Sequence, residues 1–259
     1  MTEPNHLLEA DLSASYGSGA PVLDNVRFAI DPGEVLGLVG QSGSGKSTVA
    51  LSVLRLLAFR GGRQSGRLAF RGRELLPLRE REMRELRGKA IGFVPQSPSA
   101  ALNPLLRLRT HLKEAWRAHS RDGAAFESVL ESVSLPASSE FLARYPAEIS
   151  VGQGQRFLIA MAILHKPALL IADEPTSALD VITQAEILEL FRTLNQKLGM
   201  AILYISHDLL SVASLCHRVA ILKKGRVVET GATEQIFCQP QHEYTRKLVA
   251  AIPRNPWTL

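Results

Sequence analysis

The chain is poor in cysteine, and this scarcity excludes several classes of small, cross-linked domain. Only Cys216 and Cys238 occur among its 259 residues, and they lack the spacing of metal ligands. Such usage is typical of a reducing compartment, where a fold depends on neither disulfides nor zinc. The sequence also lacks an apolar run of about 18 residues or more, so we expect no membrane-spanning helix.

A dedicated nucleic-acid surface is also missing from the sequence. The net charge of +5 is compatible with binding to nucleic acid or to an anionic membrane surface. The densest basic stretch, residues 71–89, is interleaved with acids, and both Glu80–Arg84 and Arg81–Glu85 have helical i,i+4 spacing. No aromatic residue lies within it, so we interpret it as a solvated helix face and expect no nucleic-acid partner.

What is present indicates a globular α/β protein. Apolar residues make up 46% of the chain and charged residues 21%, which is enough to build a core. Apolar strands alternate with helical segments in residues 166–232, and this predicts a mostly parallel sheet covered by helices on both faces. We expect a single domain over 1–259: a core of 7–96 and 166–232 that begins with antiparallel strands, a helical insertion over 97–165 and a helical tail over 233–259.

A phosphate-binding loop is the most specific motif. The pattern G-x-x-x-x-G-K-[ST] is matched at every fixed position, after an apolar strand and before a helix-forming stretch over 47–57. Its candidate nucleotide-binding residues are Gly40, Gln41, Ser42, Gly43, Ser44, Gly45, Lys46, Ser47 and Thr48. Backbone N–H groups and a helix N-terminus attract phosphate, Lys46 reaches the β- and γ-phosphates, and the Ser47 hydroxyl ligates Mg²⁺. The motif therefore predicts a nucleoside triphosphate as ligand.

Two carboxylates follow a second apolar strand. Asp173 and Glu174 end the sequence Leu-Leu-Ile-Ala-Asp-Glu, and ligands of such sheets lie at the carboxyl ends of the strands. Asp173 is therefore a candidate for the Mg²⁺ sphere, and Glu174 is a candidate for orienting or deprotonating the attacking water.

In this order, the motifs resemble those of the ATP-binding subunits of ABC (ATP-binding-cassette) transporters. The resemblance implies that Tyr16 stacks on adenine and that Gln96 contacts Mg²⁺ and water and couples to the membrane subunits. It also implies that Asp180 belongs to a loop at the dimer interface and that His207 touches the γ-phosphate. The catalytic set it implies is Lys46, Gln96, Glu174 and His207, with ATP and Mg²⁺ bound.

The signature motif of that family, L-S-G-G-Q, is present in altered form. Ser150, Gly152 and Gln153 match it and are implied to contact the γ-phosphate held by the opposite protomer, with Ser150 capping a helix. Val151 departs from it, and a branched side chain there crowds the phosphate or restricts the backbone. Gly154, which follows, is expected to weaken the start of the helix. We expect the site completed by this signature to hydrolyse ATP slowly.

Two further segments, residues 96–104 and 239–248, resemble the ATPases of peptide and nickel importers. The resemblance implies two permease subunits, a second ATPase subunit and an extracytoplasmic binding protein, with this chain on the cytoplasmic face of a bacterial or archaeal membrane. The altered signature favours a heterodimer, and a homodimer remains open. Peptides, nickel and metal chelates are all compatible substrates.

Two alternatives belong to other functional classes. Soluble ABC ATPases of DNA repair or chromosome architecture carry zinc-finger cysteines or long coiled-coil insertions, and this sequence has neither. A regulatory ATP binder without catalysis is the second alternative. Val151 favours it, whereas Asp173, Glu174 and His207 argue against it.

Overall fold

The computed structural model describes residues 6–17, 19–123 and 125–252. The described residues divide into two compact units, one made of those up to Met83 together with those from Ala201 onward, and one made of those from Arg84 to Met200. Residues 253–259, the end of the expected helical tail, lie outside the described residues.

Ordered elements account for most of the described chain. The strands are β1 Leu8–Tyr16, β2 Leu23–Ile30, β3 Val35–Val39, β4 Gly62–Phe70, β5 Arg73–Glu74, β6 Ile91–Val94, β7 Leu169–Asp173, β8 Ala201–Ser206, β9 Arg218–Lys223 and β10 Arg226–Ala232. The α-helices are α1 Lys46–Val53, α2 Glu80–Leu86, α3 Pro98–Ala101, α4 Leu108–Arg117, α5 Glu127–Ser132, α6 Ser139–Ala143, α7 Val151–Ile163, α8 Val181–Leu198, α9 Leu209–Leu215, α10 Thr233–Cys238 and α11 Glu243–Ala250. None of the helices in the described residues is long and apolar enough to cross a membrane.

The first unit contains the antiparallel sheet expected near the N-terminus. Its strands lie in the order β2-β1-β4-β5. Alternate residues of β1 are buried, from Leu8 to Ala14, because successive side chains of a strand point to opposite faces. The predicted period-2 pattern therefore corresponds to one buried face.

A second group of strands in this unit positions the phosphate loop. The strand β3 lies between β8 and β9, parallel to both, and β10 pairs with β9 in the antiparallel direction. All five residues of β3 are buried. Val39, the last residue of β3, pairs with Ser206, the last residue of β8. The segments that follow these two strands therefore leave the sheet at the same edge.

The second unit combines two parallel strands with helices. The strands β6 and β7 pair in parallel, with Val94 opposite Ala172. The helices α3 to α7 occupy the expected helical insertion, and the predicted breaks at Asn103-Pro104, Asp122-Gly123 and Pro136 all fall between helices. The boundaries 97 and 165 of a separate helical subdomain stay a prediction.

Two features of the first unit differ from the sequence-based expectation. Helix α1 ends at Val53 instead of continuing to residue 57, because Arg55 adopts a left-handed conformation with φ 52°. The N–H of Leu56 then donates to Leu51 O at 2.8 Å, and that of Arg55 donates to Ser52 O at 3.0 Å, which is the Schellman pattern of a helix end. The second difference is β10, a strand that the sequence patterns did not indicate.

Candidate functional site

The lysine of the phosphate loop is held inside the loop. Lys46 is the first residue of α1 and only 5% of it is exposed. Its Nζ donates hydrogen bonds to Gly40 O at 2.8 Å and to Gln41 O at 3.2 Å. The side chain of Lys46 therefore reaches from the end of the loop back to the carbonyl groups at its start, and a cation held in this way is suited to phosphate oxygens.

The backbone of the loop requires glycine where it enters the helix. Gly45 has φ 107°, and a Cβ there would lie 2.8 Å from Leu23 Cδ2. The neighbouring Ser44 Oγ is buried and has no hydrogen-bond partner among the described residues. An unsatisfied buried hydroxyl in the same loop as a buried ammonium fits a phosphate, whose oxygens accept hydrogen bonds. Of the remaining loop residues, Gln41, Ser42, Gly43 and Ser47 are exposed and Thr48 is buried.

Two other predicted residues lie in the same unit as the loop. His207 is exposed and directly follows β8, so it leaves the sheet at the edge where Gly40 follows β3. Tyr16 ends β1 and is half-buried, which differs from a core tyrosine. The strand β1 also reaches the loop region, because its Ala14 pairs with Leu23, the residue that packs against Gly45.

The second unit brings Gln96 and the acidic pair together. Asp173 ends β7 and is 9% exposed, and Glu174 follows it in a left-handed conformation with φ 48°. Gln96 Nε2 donates to Glu174 Oε2 at 3.4 Å and to Ser177 Oγ at 3.3 Å. Ser177 Oγ in turn donates to Glu174 O at 3.1 Å. An amide and a carboxylate in this arrangement are suited to orient a water molecule.

The altered signature forms a regular helix start. Ser150 is the N-cap of α7: its Oγ accepts a hydrogen bond from the N–H of Gln153, and its own N–H donates to Gln153 Oε1, both at 3.1 Å. Val151, at the first helical position, is 53% exposed. Gly154 lies within the helix and donates its N–H to Ser150 O at 2.9 Å. The capping predicted for Ser150 is therefore confirmed.

Asp180 caps the next long helix of the same unit. Its Oδ1 accepts hydrogen bonds from the N–H groups of Ile182 and Thr183, and its Oδ2 accepts one from Thr183 Oγ1 at 2.7 Å. Hydrogen bonds from the Thr183 backbone, followed by that from its hydroxyl, hold the pKa of Asp180 below its ordinary value. The carboxylate therefore stays charged at the start of α8.

Sequence reasoning overlooked two contacts of the signature helix. A Cβ on Gly152 would lie 2.8 Å from Thr183 Cγ2, and a Cβ on Gly154 would lie 3.0 Å from Pro98 Cβ. The spacing of Asp180 and Thr183 is that of an N-cap and its third helical residue, so the cap was readable from the sequence. The contact between Gly152 of α7 and Thr183 of α8 was not readable from the sequence, because it joins segments far apart in the chain.

Comparison with known proteins assigns this arrangement to a family. The family model described as ABC transporter matches residues 23–177. The chain is 45% identical, over 95% of its length, to the peptidoglycan transport ATP-binding protein YejF of Agrobacterium fabrum, and it spans 46% of that protein. It is 41% identical, over 98% of its length, to the oligopeptide transport ATP-binding protein OppD of Bacillus subtilis, and it spans 74% of that protein. The chain is thus about half as long as the first relative.

A solved structure supports the same assignment. The solved structure is an ATP-binding cassette in a dimeric, post-hydrolysis state bound to ADP and Pi. The match covers 87% of this chain and 98% of the chain in that structure. Its TM-score is 0.74 at 26% sequence identity. The α/β fold, with its parallel core, antiparallel sheet and helices, is thereby confirmed as that of an ABC ATPase. This chain is a member of the ABC transporter family and carries the ATPase domain of that family.

Proposed function

We propose that this chain is the ATP-hydrolysing subunit of a membrane importer and works at the cytoplasmic face of the cell membrane. The observation that carries the proposal is the hydrogen bond between Gln96 and Glu174 in a chain that also has a complete phosphate loop. A chain that only binds nucleotide has no need of a carboxylate oriented in this way. The similarity to YejF and OppD, both named as transport ATP-binding proteins, supports the role in transport.

The phosphate loop binds the triphosphate of ATP in this proposal. The Lys46 ammonium donates hydrogen bonds to oxygens of the β- and γ-phosphates. The N–H groups of the loop and of the first turn of α1 surround the same phosphates. Tyr16 stacks on the adenine ring. Ser47, Gln96 and Asp173 are the residues that would hold Mg²⁺, and their oxygens are the ligands this ion prefers. When bound, the ion neutralises charge on the phosphates.

Hydrolysis follows from two further residues. Glu174 accepts a proton from water as the water oxygen forms a bond to the γ-phosphorus and the bond to the β-phosphate oxygen breaks. His207 and Lys46 stabilise the charge that develops on the γ-phosphate. The products are ADP and inorganic phosphate.

The second half of each site comes from another ATPase chain. The start of α7, with Ser150, Gly152 and Gln153, binds the γ-phosphate held by the partner, and Asp180 lies at the shared interface. Closure on ATP moves two permease subunits that receive substrate from an extracytoplasmic binding protein. Val151 favours a partner with an unaltered signature.

A peptide-derived substrate agrees with the names of both relatives, and neither name mentions nickel or a metal chelate.

The Glu174→Gln variant tests the catalytic assignment. The amide cannot accept the proton, so we expect ATP hydrolysis to fall by about 100-fold or more while ATP still binds. Phosphate release is measured for the chain co-purified with its permease subunits, and ATP affinity is measured by calorimetry. Glu131→Gln, at an exposed carboxylate of α5, is the matched control. Unchanged hydrolysis in Glu174→Gln would refute the role of Glu174, and absence of hydrolysis in the parent complex would favour a regulatory ATP binder.

A further inference from the structure

The first turns of α7 and α8 meet at the methyl group of Thr183, one turn before the ion pair between Arg156 and Glu186 that also joins these helices. A Cβ placed on Gly152 would lie 2.8 Å from Thr183 Cγ2 and 3.9 Å from Thr183 Oγ1. The first distance is shorter than two carbon atoms tolerate, so the methyl group occupies the space that a side chain at position 152 would fill. The helix that carries the altered signature therefore packs directly on the third residue of α8.

The other branch of the Thr183 side chain has a different partner. Thr183 Oγ1 donates to Asp180 Oδ2 at 2.7 Å, and Thr183 N donates to Asp180 Oδ1 at 3.0 Å. A β-branched side chain has few rotamers, so the hydroxyl bond to Asp180 also fixes where the methyl group points. One residue thus joins Asp180 to Gly152 through two contacts of different chemistry.

We propose that Thr183 is a positioning residue that sets the signature helix relative to Asp180, so that the starts of α7 and α8 approach ATP as one body. This rests on the proposed function, in which the start of α7 binds the partner's γ-phosphate and Asp180 lies at the shared interface. The consequence is that a shift of Asp180 at the interface is transmitted to the N–H groups of α7. Thr183 itself touches no reacting atom.

Two substitutions separate the contacts of Thr183. Thr183→Ser keeps the hydroxyl and removes the methyl group, whereas Thr183→Val keeps the methyl group and removes the hydroxyl. We expect each to lower kcat about three- to tenfold, with little change in KM for ATP or in the unfolding midpoint. Thr193→Ser, on the same helix, is the control. A Thr183→Ser variant with the kcat of the parent would overturn the role of the methyl contact, and a fall in unfolding midpoint alone would reduce Thr183 to a structural residue.

A double-mutant cycle tests the contact directly. Gly152→Ala places a methyl group against Thr183 Cγ2, and we expect kcat to fall about tenfold or more. Thr183→Ser removes the obstructing atom and leaves the bond to Asp180, so in the Gly152→Ala background it is expected to raise kcat at least about threefold. Equal activities of the single Gly152→Ala variant and the double variant would overturn the proposal.

A further variant distinguishes failure of this inference from failure of the proposed function. Ser150→Ala removes the cap of α7 without touching Thr183, and it is expected to lower hydrolysis if α7 faces ATP. If Ser150→Ala leaves hydrolysis unchanged, the assigned role of α7 is wrong and the positioning role falls with it. If Ser150→Ala impairs hydrolysis and the Gly152–Thr183 cycle shows no coupling, only the positioning role is wrong. All activities are measured in the complete chain assembled with its permease subunits.

Discussion

At the scale of single residues, two groups of the candidate site have unusual local environments. Glu174 adopts φ 48°, a conformation that costs a residue with a side chain about 1 kcal/mol. Lys46 is buried with its ammonium on the carbonyls of Gly40 and Gln41. A charge-assisted hydrogen bond to an anionic phosphate oxygen is stronger than a hydrogen bond to a neutral carbonyl. The left-handed backbone of Glu174 and the buried ammonium of Lys46 are both expected of residues whose positions serve ligand binding and catalysis and do not serve stability.

The Lys46→Ala variant tests the binding part of this argument. It removes the charge from the loop, and we expect the Kd for ATP to rise about tenfold or more because a charged hydrogen bond to phosphate contributes about 1.5–3 kcal/mol. Isothermal calorimetry with ATP measures this change. Lys197→Ala, at the exposed end of α8, removes the same charge elsewhere and should leave the Kd unaltered. If both variants bind ATP like the parent, the loop does not bind its phosphates through Lys46.

At the scale of elements, the C-terminal helix α11 is attached through Glu229 of β10. The carboxylate accepts hydrogen bonds from the N–H of Gln241 at 2.8 Å and of His242 at 3.0 Å. His242 then caps α11, its Nδ1 accepting from the N–H of Tyr244 at 3.0 Å. Burial raises the pKa of Glu229, but the nearby Thr245 hydroxyl and the hydrogen bonds from the N–H groups of Gln241 and His242 outweigh it and leave the pKa below the ordinary value of 4.5. The folded state therefore favours the charged form.

A pH dependence of stability follows for this attachment. Because the pKa of Glu229 is lowered by folding, its contribution is complete above about pH 4.5 and is lost as the pH falls through the lower, folded-state value. We expect Glu229→Gln to reduce the free energy of unfolding at pH 7 by about 1 kcal/mol and to flatten its acid dependence. Urea unfolding from pH 7 to pH 3 measures both effects. In Glu234→Gln, at an exposed carboxylate of α10, neither effect should appear; identical profiles for the two variants would contradict the attachment.

The elements also show which parts of the fold could be predicted from the sequence. The phosphate loop, the strands β7 and β8, and the cap at Ser150 were predictable because each is a local pattern of apolar periodicity, glycine or capping residues. The end of α1 was not predictable, because Arg55 takes the left-handed position at which glycine is the usual signal of a helix end. The strand β10 was missed because it lacks a fully buried alternate face and owes its conformation to pairing with β9. The Thr183–Gly152 contact depends on tertiary structure alone.

At the scale of the whole molecule, the altered signature bears on what the chain pairs with. Val151 is 53% exposed at the first position of α7, so its side chain stands beside the helix N-terminus that is proposed to receive a partner's γ-phosphate. Two copies of this chain would place Val151 at both sites. One copy with a partner of unaltered signature would place it at one site only.

Mass in solution tests this pairing. In the Glu174→Gln background with ATP and Mg²⁺, we expect the chain alone to remain a monomer by light scattering and Val151→Gly to shift it towards a dimer, because glycine relieves the crowding at the phosphate. The matched control is Val181→Gly, which removes another exposed valine, 83% exposed, from the start of α8 and is not expected to promote dimerisation. A dimer that forms without any change at Val151 would show that two identical chains suffice.

The pairing of β3 with strands from the far end of the chain has a consequence for synthesis on the ribosome. Val35 pairs with Ile202 and Leu36 with Arg218, while all residues of the other unit, Arg84–Met200, are made before either partner strand exists. The apolar strand that leads into the phosphate loop therefore lacks both partner strands while residues 40–200 are translated, and it is then a target for chaperones. The sheet beneath the phosphate loop is therefore assembled only after residues 201–223 have been made, and a shorter nascent chain exposes β3 to chaperones without a finished site for ATP.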